Sequence, residues 1–100
     1  MKAIVSVFAK DSKGITAYIT ALLAEKEINI LDISQTLMQE YFAMIMLVDL
    51  ADCAMPFHEL SQYLADKGRE RALDVHIQRQ DIFEACTRSE VSNELSYEQQ

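Results

Sequence analysis

The 100-residue chain has few of the residues from which short catalytic and metal motifs are built: two glycines, two histidines, two cysteines and one proline. Gly14 and Gly68 stand too far apart to make a phosphate-binding glycine run, and neither sits in a nucleophile elbow. Cys53 and Cys86 form no C-x-x-C pair. With His58 and His76 they show no zinc spacing and no Cys–His or Ser–His arrangement for nucleophilic attack. Catalysis is therefore not expected, and no metal or cofactor is expected either. There is no uncharged apolar run of membrane-crossing length. Met1-Lys2 leads straight into a short apolar segment, without the longer stretch and small-residue cleavage site of a signal peptide. A cytoplasmic protein with reduced thiols is the expectation.

Positive charge is also scarce. Nine bases face sixteen acids, a net charge of −7. The excess is uneven: residues 1–80 carry eleven acids and eight bases, net −3, and residues 81–100 carry five acids and one base, net −4. Such a chain repels phosphate backbones, which argues against nucleic acid as a partner. What is present is ordinary for a globular domain, half hydrophobic and a quarter charged. The length allows one domain around one modest core.

Hydrophobic spacing divides that domain. Residues 3–9 are β-branched, aromatic and small, and read as a first strand; Lys10 to Gly14 make a polar turn. Ile15, Ile19, Leu22 and Leu23 repeat at helical spacing, giving a helix over about 14–26 that Asp11 or Ser12 is placed to cap. Residues 28–39 read as a second strand, a tight turn falls near Glu40, and 41–50 read as a nearly continuous apolar third strand. Pro56 suits the start of a second helix with a stripe of Phe57, Leu60 and Leu64, and Gly68 marks its expected end. In residues 72–79, Leu73, Val75 and Ile77 alternate with Asp74, His76 and Gln78, as in a half-exposed strand. Asp81 is placed to cap a short helix through Ile82, Phe83 and Ala85, and the polar acidic tail 87–100 is expected to be flexible.

The order βαββαβ predicts an α+β fold, a ferredoxin-like sandwich. It has a four-stranded antiparallel sheet, two helices on one face and a short C-terminal helix. The more apolar strands one and three are expected at the centre, with two and four at the edges. Strand three carries Phe42, Met44, Met46 and Val48 on one side and Ala43, Ile45 and Leu47 on the other. Two helices cover only one sheet face. A second copy of the chain, or the segment around Ile82 and Phe83, is therefore expected over the other, and a homodimer is the favoured solution.

Three segments in this frame resemble the ACT domain: Lys10-Asp11-Ser12-Lys13-Gly14-Ile15 opening the first helix, Ile28-Asn29-Ile30 starting strand two, and Asp32-Ile33-Ser34-Gln35-Thr36 followed by Tyr41-Phe42. The likeness spans about residues 2–86. It is similar to small stand-alone single-ACT-domain proteins and to the ACT halves of the glycine-cleavage repressor. The resemblance implies a regulatory domain that binds a small molecule, such as an amino acid, at a domain–domain interface and acts on a separate protein. Carried over residue by residue, it points to Asp11, Ser12, Lys13, Gly14 and Ile15, with Asn29 and Ile30 opposite. Lys13 departs from the pattern, since many members have proline there, and it puts a cation at the mouth.

The residue chemistry suits that role. A helix N-terminus offers unpaired N–H groups to a carboxylate, Gly14 lets backbone approach a ligand closely, Asp11 can receive an ammonium group, and Asn29 both donates and accepts. Asp11 and Ser12 equally suit a plain helix cap, and Asn29 a helix-to-strand junction. RNA binding, which shares the βαββαβ order, is disfavoured because strand three has neither a basic residue nor a glycine. A ligand-free interaction module is the alternative to a sensor.

Overall fold

The computed structural model describes residues 1–10, 13–82 and 84. Its elements are β1 (Lys2–Ala9), α1 (Ile15–Glu25), β2 (Asn29–Met38), β3 (Tyr41–Asp49), α2 (Phe57–Glu70) and β4 (Asp74–Arg79). Residues 80–82 and 84 are helical; helix formation begins at Gln80, one residue before the expected Asp81 cap. Phe83, Ala85, Cys86 and the tail 87–100 lie outside the described residues.

The strands pair antiparallel in the order β2-β3-β1-β4. The two apolar strands are central and the two polar ones are edges, as their composition predicts. Period-two alternation then sorts the faces. Ala3, Val5 and Val7 of β1, Phe42, Met44, Met46 and Val48 of β3, and Val75 of β4 point toward the helices and are buried. Ile15, Ile19, Leu22 and Leu23 of α1 and Leu60 and Leu64 of α2 meet them. No polar or charged residue is buried among the described residues, so the core carries no desolvated polar group.

One irregularity decides what the outer edge presents. Ile30 pairs with Val48, but Asp32 pairs with Leu47, leaving Leu31 unpaired as a bulge. The extra residue shifts the alternation by one. It sends Asp32, Ser34 and Thr36 to the face without helices. Ile33, Gln35 and Leu37 go to the helix side, where the helices do not reach far enough to cover them: Ile33 is 39% exposed and Leu37 60%.

Both helices end the same way, without the glycine that usually takes the left-handed position. At α1, Glu27 has φ 57, its N–H donates to the Ala24 carbonyl, and Ile28 N–H donates to the Leu23 carbonyl at 3.0 Å. At α2, Ala72 has φ 58, its N–H donates to the Arg69 carbonyl, and Leu73 N–H donates to the Gly68 carbonyl at 2.8 Å. These are Schellman closures with a strained residue in the left-handed slot.

Gly68 does not stop α2, which runs two residues further to Glu70. It is buried inside the helix, and a Cβ there would stand 2.6 Å from Val75 Cγ2 and 3.0 Å from the Leu73 carbonyl oxygen. The glycine is there for contact: it lets α2 lie directly against β4. Pro56 occupies the N-cap, immediately before the helix.

Candidate ligand-binding site

The antiparallel register places the chain's turns at two ends of the sheet. Ala9 of β1 pairs with Phe42, so the β1–α1 turn lies at one end; Lys2 and Asn29 both pair with Asp49, at the other. α2 starts at the Asp49 end and returns, and β4 begins at Asp74 opposite Phe8. The α2–β4 turn therefore lies beside the β1–α1 turn.

A cavity of about 230 Å³ opens between these two turns, walled by Ala9, Lys10, Lys13, Gly14, Ile15 and Tyr18 on one side and Arg71, Ala72 and Leu73 on the other. Its floor is apolar, formed by buried Ile15 and Leu73. Gly14 is the N-cap of α1 in the left-handed conformation, φ 73, which only glycine adopts without strain. No side chain of the N-cap residue bonds the helix, and no acid stands in the first turn. Among the described residues, its chain neighbours aside, nothing lies within 4 Å of where a Gly14 Cβ would be. The Arg71 guanidinium lies over the Tyr18 ring, 4.3 Å from its centroid, and the Tyr18 hydroxyl donates to the Lys67 carbonyl at 2.9 Å.

Of the residues carried over from sequence, Lys13, Gly14 and Ile15 come together here. Asp11 and Ser12 lie outside the described residues. Asn29, exposed, and Ile30, half-buried, sit at the opposite end of the sheet. Seven steps of β3, from Phe42 to Asp49, separate the two ends, or roughly 23 Å of extended chain. One chain therefore does not bring both halves of the expected pocket together. Sequence reasoning also missed Tyr18 and Arg71. Their separation along the chain gives no local signal, and only the return of α2 to the start of α1 unites them.

Other features are smaller. His76 Nε2 is 2.8 Å from Asp74 Oδ1 on the sheet face without helices. Lys26 lies 4.6 Å from the Tyr63 ring centroid, and burial, aided by the nearby Glu25 carboxylate, raises the Tyr63 phenol above its ordinary pKa. Among the described residues no three His, Cys, Asp or Glu side chains gather as a metal set, and no helix is long and apolar enough to cross a membrane.

A four-stranded antiparallel sheet in the order β2-β3-β1-β4, with two helices on one face, is a ferredoxin-like α+β sandwich. A family model for the ACT domain matches residues 2–78, and the chain belongs to the ACT domain family. Members of that family bind small-molecule ligands such as amino acids. A UPF0237 protein of Clostridium acetobutylicum is 48% identical over 88 residues, 88% of this chain and 99% of its own. An ACT domain protein from Streptococcus pneumoniae has a similar structure, with TM-score 0.76 and 39% identity, covering 84% of this chain and 94% of that one. A chain described as a glycine cleavage system transcriptional repressor shares the fold, with TM-score 0.66 and 18% identity over 79% of this chain and 45% of its own length.

Proposed function

We propose that the protein is a cytoplasmic homodimeric sensor, which binds an amino acid between two copies of the chain and acts on a separate protein by binding rather than by catalysis. The observation that carries the reading is the separation of the two half-sites within one chain, combined with an unpaired β2 edge. β2 has ten residues, and its outer edge shows Leu31, Ile33 and Leu37, 43%, 39% and 60% exposed. A long edge strand with exposed apolar side chains and no partner strand on its outer side among the described residues invites pairing with another strand. Two β2 strands related by a twofold axis run antiparallel, so the start of one lies level with the end of the other. That pairing carries the partner's Asn29 toward the β1–α1 turn of the first chain and completes two equivalent sites.

The sheet face without helices offers a second surface. Ile4, Phe8, Ala43, Ile45 and Leu47 form its centre, and Phe8 and Ile45 are 46% and 45% exposed. Of the C-terminal segment, Ile82 is itself 44% exposed, and Phe83 lies outside the described residues. Pairing through this face buries apolar surface but leaves Asn29 remote from Gly14. The β2 edge therefore fits the sensor better.

The test is a thermal-unfolding screen of the protein with each amino acid at millimolar concentration. A ligand at about 100 times its Kd adds roughly 2.7 kcal/mol, a rise of several degrees for a domain of this size. The reading requires one amino acid or a chemical subset to raise the midpoint, and both Asp11→Ala and Asn29→Ala to abolish the rise. No response to any amino acid favours a ligand-free interaction module.

A further inference from the structure

The cavity between the β1–α1 and α2–β4 turns carries three cationic residues, Lys10, Lys13 and Arg71, and no Asp or Glu among its described lining residues. This concentration of positive charge occurs in a chain of net charge −7.

Arg71 is the residue that distinguishes the cavity from a solvated surface. Of the three described arginines, Arg69 pairs with Asp66 and Arg79 with Asp81. Arg71 has no carboxylate partner among the described residues. Its guanidinium lies instead on the Tyr18 ring, and that ring is fixed from behind by the Tyr18 hydroxyl bond to the Lys67 carbonyl. A guanidinium held by its face keeps its in-plane N–H donors available, in the fork that matches a carboxylate or phosphate. The backbone supports the same geometry. Arg71 N–H donates to the Gly68 carbonyl at 2.9 Å, and the closure at Ala72 and Leu73 pins the turn to α2. Much of the ordering cost of the arginine is thus met before a ligand arrives.

We propose that this cavity is an anion subsite, in which Arg71, stacked on Tyr18, receives the carboxylate or phosphate group of a small metabolite across from Gly14. The inference rests on reading this end of the domain as ligand-binding, and it adds the ligand's charge. The volume, about 230 Å³, is below the ~300–1,000 Å³ of sites for drug-sized molecules, which selects a small acid such as a dicarboxylic amino acid over a nucleotide. The subsite is built within one chain and operates whichever surface forms the dimer.

The experiment follows backbone amide shifts of the ¹⁵N-labelled full-length protein at low ionic strength. The probes are L-glutamate, succinate, inorganic phosphate, L-leucine and L-alanine, with sodium chloride matched in ionic strength. Glutamate and succinate, phosphate, or both should move Gly14, Ile15, Ala72 and Leu73 saturably, and the responding arm names the anion. Arg71→Gln should weaken that response by about tenfold or more, while Arg71→Lys retains part of it; unchanged melting midpoints show that the variants fold. Saturable shifts with leucine or alanine alone, equal in the wild type and Arg71→Gln, overturn the anion subsite and leave the sensor reading standing. Equal shifts with chloride overturn the subsite as a salt effect. No shift at either Gly14 or Asn29 with any probe overturns both.

Discussion

Gly68→Ala separates a contact glycine from a helix-stopping one. In the interior of an exposed helix the change is favourable by about 1 kcal/mol, because alanine is the better helix former. Here the new Cβ would stand 2.6 Å from Val75 Cγ2 and 3.0 Å from the Leu73 carbonyl oxygen. The first distance is roughly 1 Å inside the ~3.5–4.0 Å optimum for carbon atoms. The second involves backbone held by the Leu73 N–H bond to the Gly68 carbonyl, so rotation of a side chain does not relieve it. Overpacking of this kind costs about 1–3 kcal/mol. The net expectation is a loss of up to about 2 kcal/mol and a fall in the midpoint, measured by urea and thermal unfolding. Val75→Ala removes the Cγ2 atom, so the double variant should recover at least about 0.5 kcal/mol relative to additivity. A midpoint that rises in Gly68→Ala would refute the close approach of α2 to β4, and with it the placement of Arg71 over the cavity.

Three further outcomes are expected. Ala72→Gly should stabilise the fold by about 0.5–1 kcal/mol in urea titrations, because glycine occupies the left-handed slot at φ 58 without strain, less its greater freedom in the unfolded chain; a loss would contradict that closure. Ile33→Lys should shift the protein toward monomer in light scattering, and Ile45→Lys should leave the dimer, because only the β2 edge carries the proposed pairing. Tyr63 bears on alkaline stability. Its folded pKa lies above the unfolded value, so the folded state holds the proton longer. The resulting stabilisation is complete below the unfolded pKa, about 10, and is lost as pH rises through the folded value. Tyr63→Phe should flatten the decline in stability between about pH 9 and pH 11, followed as the urea midpoint.

The parts of the fold legible in the sequence are those set by periodicity. The apolar runs of β1 and β3 announced central strands, and Ile15, Ile19, Leu22 and Leu23 fixed the buried stripe of α1. The helix ends were less legible, for a physical reason. Glycine is the expected left-handed residue, so Gly68 read as a stop, while the residues that take that conformation are Glu27 and Ala72. The bulge at Leu31 has no signature either, yet it decides which β2 residues face outward.

The candidate site divides along the same line. Lys13, Gly14 and Ile15 follow one another and could be read as a unit, and the structure places them on one cavity. Arg71 and Tyr18 join them only through the return of α2, which no local spacing encodes. Asn29 is kept from them by the length of the sheet, which is why the proposed site draws it from a second chain.

Mixing two defective variants tests the two-chain site most directly. Asp11→Ala and Asn29→Ala, each unable to bind the amino acid found in the thermal screen, are combined, unfolded, refolded together and titrated calorimetrically with that ligand. A site shared between chains predicts recovery of roughly one site in four by random pairing, since a mixed dimer holds one intact site and one doubly defective site. Recovery at wild-type affinity supports the shared site. No recovery, in mixtures shown by light scattering to be dimeric, contradicts it and places the ligand within a single chain.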